Sequence, residues 1–365
     1  MVVLIPEEVR VMTRQLHRIL VVPVVLVTVL ASSVALSSGT RSASAQRTAL
    51  THTGRTVRQL KMEVVVKTTN SPYWQIVFAA AKKAAAQFGV QSLGYVGGPS
   101  EADINAEITL IEDAIAKHPD FLVIAPTSAS ALNPVISKAY KAGIKVIIID
   151  SAATTQNYTS FLATDNRLGG CLAAQALARA IKRKTGAARG QVAYATFQSG
   201  AGSLGARDAG FVQCIRAFHG ISVVAHKDAG GDPNPGGKPL SIAADTLTAF
   251  PKLVGYWGDN LQTLQGAEKA FQERHVNHSK VSLVGFDNTA QEVTALKSHQ
   301  LDGTILQDPY QMGYGGVGYG ILASAGLTVP RFVNTGVTVA TPANVNGRVI
   351  QGLLDPVSKR QIGFK

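Results

Sequence analysis

The sequence predicts an α/β protein made of two parallel-sheet units, and three observations carry that prediction. Short apolar runs rich in β-branched residues alternate with longer stretches of helical periodicity. The runs do not alternate apolar with polar residues, which is the pattern of strands buried on both faces. Glycines stand where the helices should stop, at Gly89, Gly143 and Gly220. Strands and helices alternating at this spacing imply right-handed crossovers and a parallel sheet.

The elements follow in order. Glu63–Val66 reads as a strand and Tyr73–Phe88 as a helix. Gln91–Tyr95 is a strand, Ala102–Lys117 a helix, Phe121–Ile124 a strand and Ala131–Ala142 a helix. Ile144–Ile149 is a continuous apolar run ending on Asp150. A second series begins after Asp165 and Asn166. Helix Leu168–Lys184, strand Gln191–Thr196, helix Leu204–Phe218 and strand Ile221–Ala225 lead into a loop rich in Gly and Pro at 230–237. Helix Ser241–Phe250, strand Leu253–Trp257, helix Gln262–Arg274 and strand Val281–Phe286 complete it.

The 365 residues suit two to three units of ordinary size, and 46% hydrophobic with 16% charged residues is not a disordered composition. The net charge of +12 would suit nucleic acid or an anionic surface if it were concentrated in the folded part. It is not, because residues 62–347 hold 23 basic and 20 acidic side chains. No nucleic-acid partner is expected.

Arg10, Arg14 and Arg18 precede an apolar stretch, Ile19–Leu36, and a small-residue end, Ala43-Ser44-Ala45. That order reads as an export signal over residues 1–45, cleaved after Ala45, although the stretch also has nearly the length of a membrane anchor. The mature chain is expected outside the cytoplasm, soluble, touching the membrane only through membrane proteins. Residues 46–61 read as a flexible basic leader. Cys171 and Cys214 fit either an export-compartment disulfide or two small buried apolar residues.

In parallel α/β sheets, ligands bind beyond the carboxyl ends of the strands. Those ends carry Lys67, Ser71, Tyr73 and Trp74, then Ser128, then Asp150. In the second unit they carry Gln198, then Trp257 with Asn260, then Asp287, and Gln307 lies near the crossing back. Aromatics among carboxylates and amides suit a polyhydroxylated ligand, with rings against C–H patches and polar groups on hydroxyls. Taken singly, Tyr73 or Trp74 also suits the core, and Asp150 or Asp287 also suits a helix cap.

From about 62 to 345 the chain resembles the substrate-binding proteins of sugar ABC transporters, the periplasmic-binding-protein type 1 group with ribose binders among its members. The matching stretches include Asn70-Ser71-Pro72-Tyr73-Trp74, Ile149-Asp150-Ser151, Ala163-Thr164-Asp165-Asn166-Arg167, Val284-Gly285-Phe286-Asp287 and Gln307-Asp308-Pro309-Tyr310. The resemblance implies two Rossmann-like lobes with parallel sheets flanked by helices, joined by a three-segment hinge. It implies a first lobe of 62–164 and 308–334, a second of 165–307 and 335–350, and a tail from 351 to 365.

It implies that Tyr73 and Trp74 sandwich a sugar ring, that Asp150 and Asp287 bind hydroxyls from opposite lobes, and that Asn166, Gln307 and Asn260, or Asp259 in its place, belong to the site. Two positions depart from the ribose pattern. Ser151 stands where an arginine follows the first-lobe aspartate, and a second arginine would fall near Gly205, with Arg207 close by. Lys67 is also similar to a residue of the branch that binds the furanosyl signal autoinducer-2.

The implied activity is capture of a monosaccharide-like or polyol ligand between the lobes and delivery to a membrane permease, by a monomer without cofactor or metal. A sensor or chemoreceptor partner would use the same closed surface. An enzyme is disfavoured. No phosphate-binding Gly-x-Gly-x-x-Gly follows the opening strand, and no Walker loop or Gly-x-Ser-x-Gly elbow is present. The Gly200–Gly205 run has dinucleotide-loop spacing but follows a later strand, and it reads as a loop of close backbone approach.

Overall fold

The computed structural model describes residues 56–359. The expected signal, most of the leader and the last residues of the tail lie outside them.

The first lobe opens with β1 (Lys61–Thr68), α1 (Pro72–Phe88), β2 (Ser92–Gly98), α2 (Ile104–Ala116) and β3 (Phe121–Ile124). It continues through α3 (Asn133–Lys141), β4 (Lys145–Ile149) and β5 (Ser160–Ala163). The chain then crosses into a second lobe: α4 (Asn166–Thr185), β6 (Gly190–Thr196), α5 (Gly202–Ile215), β7 (Ile221–Asp228) and α6 (Lys238–Ala249). β8 (Leu253–Gly258), α7 (Leu261–Glu273), β9 (Ser282–Phe286), α8 (Ala290–Lys297) and β10 (Gly303–Leu306) follow. It returns for α9 (Pro309–Ser324) and β11 (Phe332–Asn334), then crosses again to β12 (Thr338–Ala340), α10 (Arg348–Leu354) and α11 (Pro356–Lys359).

The first sheet has the order β11-β5-β4-β3-β1-β2 and is parallel throughout. The second has the order β12-β10-β9-β8-β6-β7, with only β12 antiparallel. Three crossings between sheets, after β5, β10 and β11, make the hinge. All residues of β3, β9 and β10 are buried, as strands covered on both faces require. Each sheet has an apolar cluster on either face.

α9 has no counterpart in the sequence reading. Its sixteen residues include five glycines, which disfavour an isolated helix. Packing explains them. A Cβ on Gly313 would lie 2.1 Å from the Val77 carbonyl oxygen on α1, and one on Gly320 would lie 2.2 Å from the Phe121 ring. The glycines let α9 sit directly on α1 and β3. Gly313→Ala is expected to cost roughly 1–3 kcal/mol or more in urea unfolding. An unchanged midpoint would mean that α9 and α1 are not in close contact.

Both ends of the folded part extend beyond their sequence-based limits. Leu60 is 1% exposed within the first core, so the leader ends before it. Where a tail was expected from 351, the described residues as far as 359 are mainly helical. Leu353 and Leu354 pack on the second core, and α11 reaches α1 of the first lobe.

Candidate functional site

The carboxyl ends of strands from both sheets line one cleft of about 760 Å³, including its mouth. The lobes already meet around it. Ala129 N–H donates to Gly200 O (3.0 Å), Gln198 Nε2 donates to Thr127 O (3.3 Å), and the Ser151 and Ser203 hydroxyls lie 2.8 Å apart. Gly202 shows why the 200–205 run is glycine-rich, since a Cβ there would lie 2.7 Å from Ala152 O across the cleft.

Two aspartates stand in matching places. Asp150 follows β4 and Asp287 follows β9, and each has a left-handed backbone, φ 64° and 67°. Such a conformation is uncommon outside glycine, and aspartate is among the residues that tolerate it. Each backbone N–H is tied to the neighbouring strand: Asp150 to Leu162 O (3.0 Å) and Asp287 to Ile305 O (2.8 Å). Strained backbone held so firmly on both sides of a cleft is a mark of functional geometry.

Their surroundings differ. Asp150 accepts from Lys67 Nζ (2.8 Å), Tyr73 Oη (2.9 Å) and the Ser151 hydroxyl (2.8 Å). Burial opposes its ionisation, yet the Lys67 charge and these hydrogen bonds outweigh it and hold its pKa below the ordinary value. Lys67 also donates to Ser151 (2.7 Å), so lysine and serine together surround the Asp150 carboxylate. Asp287 accepts from Gln307 Nε2 (2.7 Å), and burial raises its pKa against the lowering effect of Arg207. Gln307 in turn accepts from the Thr164 hydroxyl (2.9 Å), joining two hinge segments.

Lys67, Ser71, Tyr73, Trp74, Asp150, Gln198, Asn260, Asp287 and Gln307 line the cleft together. Three expected residues do not. Trp257 is 0% exposed and stacks on Phe211 at 4.3 Å between centroids, because it lies short of the end of β8 and faces the helices. Ser128 accepts from Ala131 N–H (3.2 Å) in the turn before α3. Asn166 accepts from Arg207 Nε (2.9 Å) and so positions that arginine from behind.

The aromatic sandwich is also corrected. Tyr73 and Trp74 touch each other edge-on, with centroids 4.9 Å apart and planes at 80°, which leaves no room for a sugar between them. The second lobe adds Phe197 to the lining of the cleft. Phe197, Arg207 and Glu101 were not among the expected site residues. Phe197 directly follows β6, where the strand-end rule had selected its neighbour Gln198. Arg207 supplies the second-lobe cation sought near Gly205. Its guanidinium lies 3.7 Å from the Phe286 ring centroid, with Nη1 donating to Asp259 O (2.9 Å).

Arg207 is carried by α5, which crosses α4 so closely that Cβ atoms on Gly170 and Gly210 would strike the opposing backbones at 1.8 and 1.9 Å. A Cys171–Cys214 disulfide ties the same two helices. Of the two sequence readings for these cysteines, the structure has the paired one.

Behind the first-lobe wall, Glu107 is fully buried and accepts from Thr127 N–H (2.8 Å), while its other oxygen has no partner. Burial pushes its pKa up to about 7. The neutral acid fits this place, so its stabilising effect is full below the unfolded value, about 4.3, and is lost as pH rises through about 7. Glu107→Gln should flatten that decline in a pH series of melting temperatures. An identical decline in the variant would show that another group causes it.

The sequence profile described as a periplasmic binding protein domain matches residues 62–321. The ribose import binding protein of Salmonella typhimurium is 31% identical over 258 residues, 70% of this chain and 81% of that protein. A carbohydrate transporter solute-binding protein from Agrobacterium radiobacter, solved with D-arabinose, is 39% identical with a TM-score of 0.78, covering 81% of this chain and 98% of that one. A solute-binding protein from Agrobacterium vitis, solved with D-fucose, is 31% identical with a TM-score of 0.75, covering 80% and 99%.

Proposed function

The chain belongs to the periplasmic binding protein domain family, and from that premise we propose that it captures a monosaccharide-like or polyol ligand between its lobes for an ABC transporter. The observation that carries this reading is the facing pair of strand-end aspartates, one per lobe, with a hinge glutamine bonded to one of them. A ligand gripped by both shifts the open–closed equilibrium toward closure, because only the closed form offers both sets of contacts. The closed pair of lobes is then the surface a membrane permease recognises. Export by a signal at 1–45, cleavage after Ala45, action as a monomer outside the cytoplasm, and binding rather than catalysis all belong to this proposal.

Relatives that bind ribose, arabinose and fucose supply the first probes. At a hundredfold excess over Kd, a ligand that binds only the folded chain stabilises it by about 2.7 kcal/mol. A thermal-shift series with D-ribose, D-arabinose, D-fucose and D-allose is expected to give a rise in melting temperature with at least one. No shift with any pentose, hexose or polyol would contradict the sugar reading.

A further inference from the structure

The folded part is nearly balanced in charge as a whole, but the charge is unevenly placed. In the second lobe β6 to β10 run parallel, so their carboxyl ends form the cleft and their amino ends form the opposite pole of the lobe. That pole is basic. Arg189 directly precedes β6, Lys252 directly precedes β8, and Lys280 stands two residues before β9. β9, β8 and β6 are neighbours in the sheet, and their backbones run about 5 Å apart. The last turn of α4 adds Lys182 and Arg183, and the end of α7 adds Arg274. Lys184 Nζ donates to the Val281 carbonyl at 3.1 Å and so ties the end of α4 to the start of β9. The six cations Lys182, Arg183, Arg189, Lys252, Arg274 and Lys280 are exposed, and none lines the cleft.

These charges are not neutralised within the described residues. Arg183 alone of the six reaches an acid there, Asp302 at 3.9 Å, and Lys184 already holds that carboxylate at 2.6 Å. The first lobe pairs the lysines at its corresponding end, Lys117 with Glu63 at 3.2 Å and Lys138 with Glu112 at 3.1 Å. Helix-end charge explains Lys182, Arg183 and Arg274, because the last carbonyls of a helix attract cations. It does not explain Arg189, Lys252 and Lys280, which lead into strands. Like charges gathered without acids repel one another, and an anionic surface relieves that repulsion.

We propose that this pole rests on anionic lipid headgroups, holding the chain beside its transporter with the cleft turned away from the membrane and open to ligand. The proposal rests on the reading of the chain as an exported partner of a membrane permease, and it goes beyond the expected contact through membrane proteins alone. Lipid suits the pole better than nucleic acid does. The exposed large aromatics among the described residues, Phe88, Tyr140 and Phe332, all belong to the first lobe, so the pole lacks rings on which bases would stack. Attachment by charge alone is reversible and sensitive to salt, which leaves the chain free to turn its closed lobes to the permease.

The test is sedimentation of the mature chain with vesicles of phosphatidylcholine alone or of equal parts phosphatidylcholine and phosphatidylglycerol. The chain is expected to bind the anionic vesicles, to ignore the neutral ones, and to be released at about 1 M salt, where screening leaves a reach of only ~3 Å. Each basic residue near an anionic surface contributes about fivefold to partitioning, so Arg189→Gln, Lys252→Gln and Lys280→Gln combined should weaken binding about a hundredfold. Lys117→Gln with Lys138→Gln, at the other pole, should stay within about twofold of the wild type. Equal binding to neutral vesicles, anionic binding that survives the triple variant, or a preference for a DNA duplex over the anionic vesicles would overturn the proposal. Melting temperatures without vesicles separate a folding defect from lost attachment. If the triple variant does not fold, the three single variants carry the same test, each with an expected loss of about fivefold. A chain that responds to sugars but ignores anionic vesicles overturns this proposal and leaves the sugar reading standing. A chain that binds the vesicles through this pole and responds to no sugar does the reverse.

Discussion

Asp150→Ala is expected to lower stability by about 3–5 kcal/mol and to abolish the ligand-induced thermal shift. Lys67 is 5% exposed, and removing the carboxylate leaves its ammonium buried with only a serine hydroxyl beside it. Tyr73 loses the acceptor that orients its ring at the cleft. The pH dependence has a definite sign. Because the folded pKa of Asp150 lies below the ordinary value, the stabilisation is present above the unfolded value, about 3.9, and lost as pH falls through the folded one. Acid unfolding of the wild type should therefore be steeper below pH 4 than that of the variant. Equal stability and equal ligand response in Asp150→Ala would remove the ion pair from both roles. Asp150→Asn, which tolerates the same left-handed backbone, isolates the charge from the conformation.

Replacing both cysteines with serine is the second large effect. Cys171 and Cys214 are 43 residues apart, and a closed loop of that length restricts the unfolded chain by about 4 kcal/mol. The loss should appear as an earlier urea midpoint, matched by the wild type under reducing conditions. It should extend to binding, because α4 and α5 together set the position of Arg207. Wild-type midpoints that do not respond to a reductant able to open the bond would contradict this account.

The strands were legible because parallel sheets covered on both faces demand unbroken apolar runs, and Phe121–Ile124 was read to the residue. β5, β10, β11 and β12 were not, being only three or four residues long. α9 was hidden by its glycines, whose reason is a close approach to Val77 and Phe121 that no local pattern displays. At the site, the strand-end rule found Asp150, Asp287 and Gln307, because a strand's end fixes where the next residue points. It failed at Trp257, which the pleat turns into the core. Arg207 and Glu101 sit on a helix and a loop, and they reach the cleft only through helix crossing and lobe closure.

The central claim is that one ligand is held by both lobes at once. Its most direct test is calorimetric titration of the tightest-binding sugar of the probe series into the wild type, Asp150→Asn and Asp287→Asn. A ligand bridging the cleft predicts a loss of at least about tenfold in affinity, about 1.4 kcal/mol, for each variant separately. Full affinity in either one would place the ligand on a single lobe and contradict the claim.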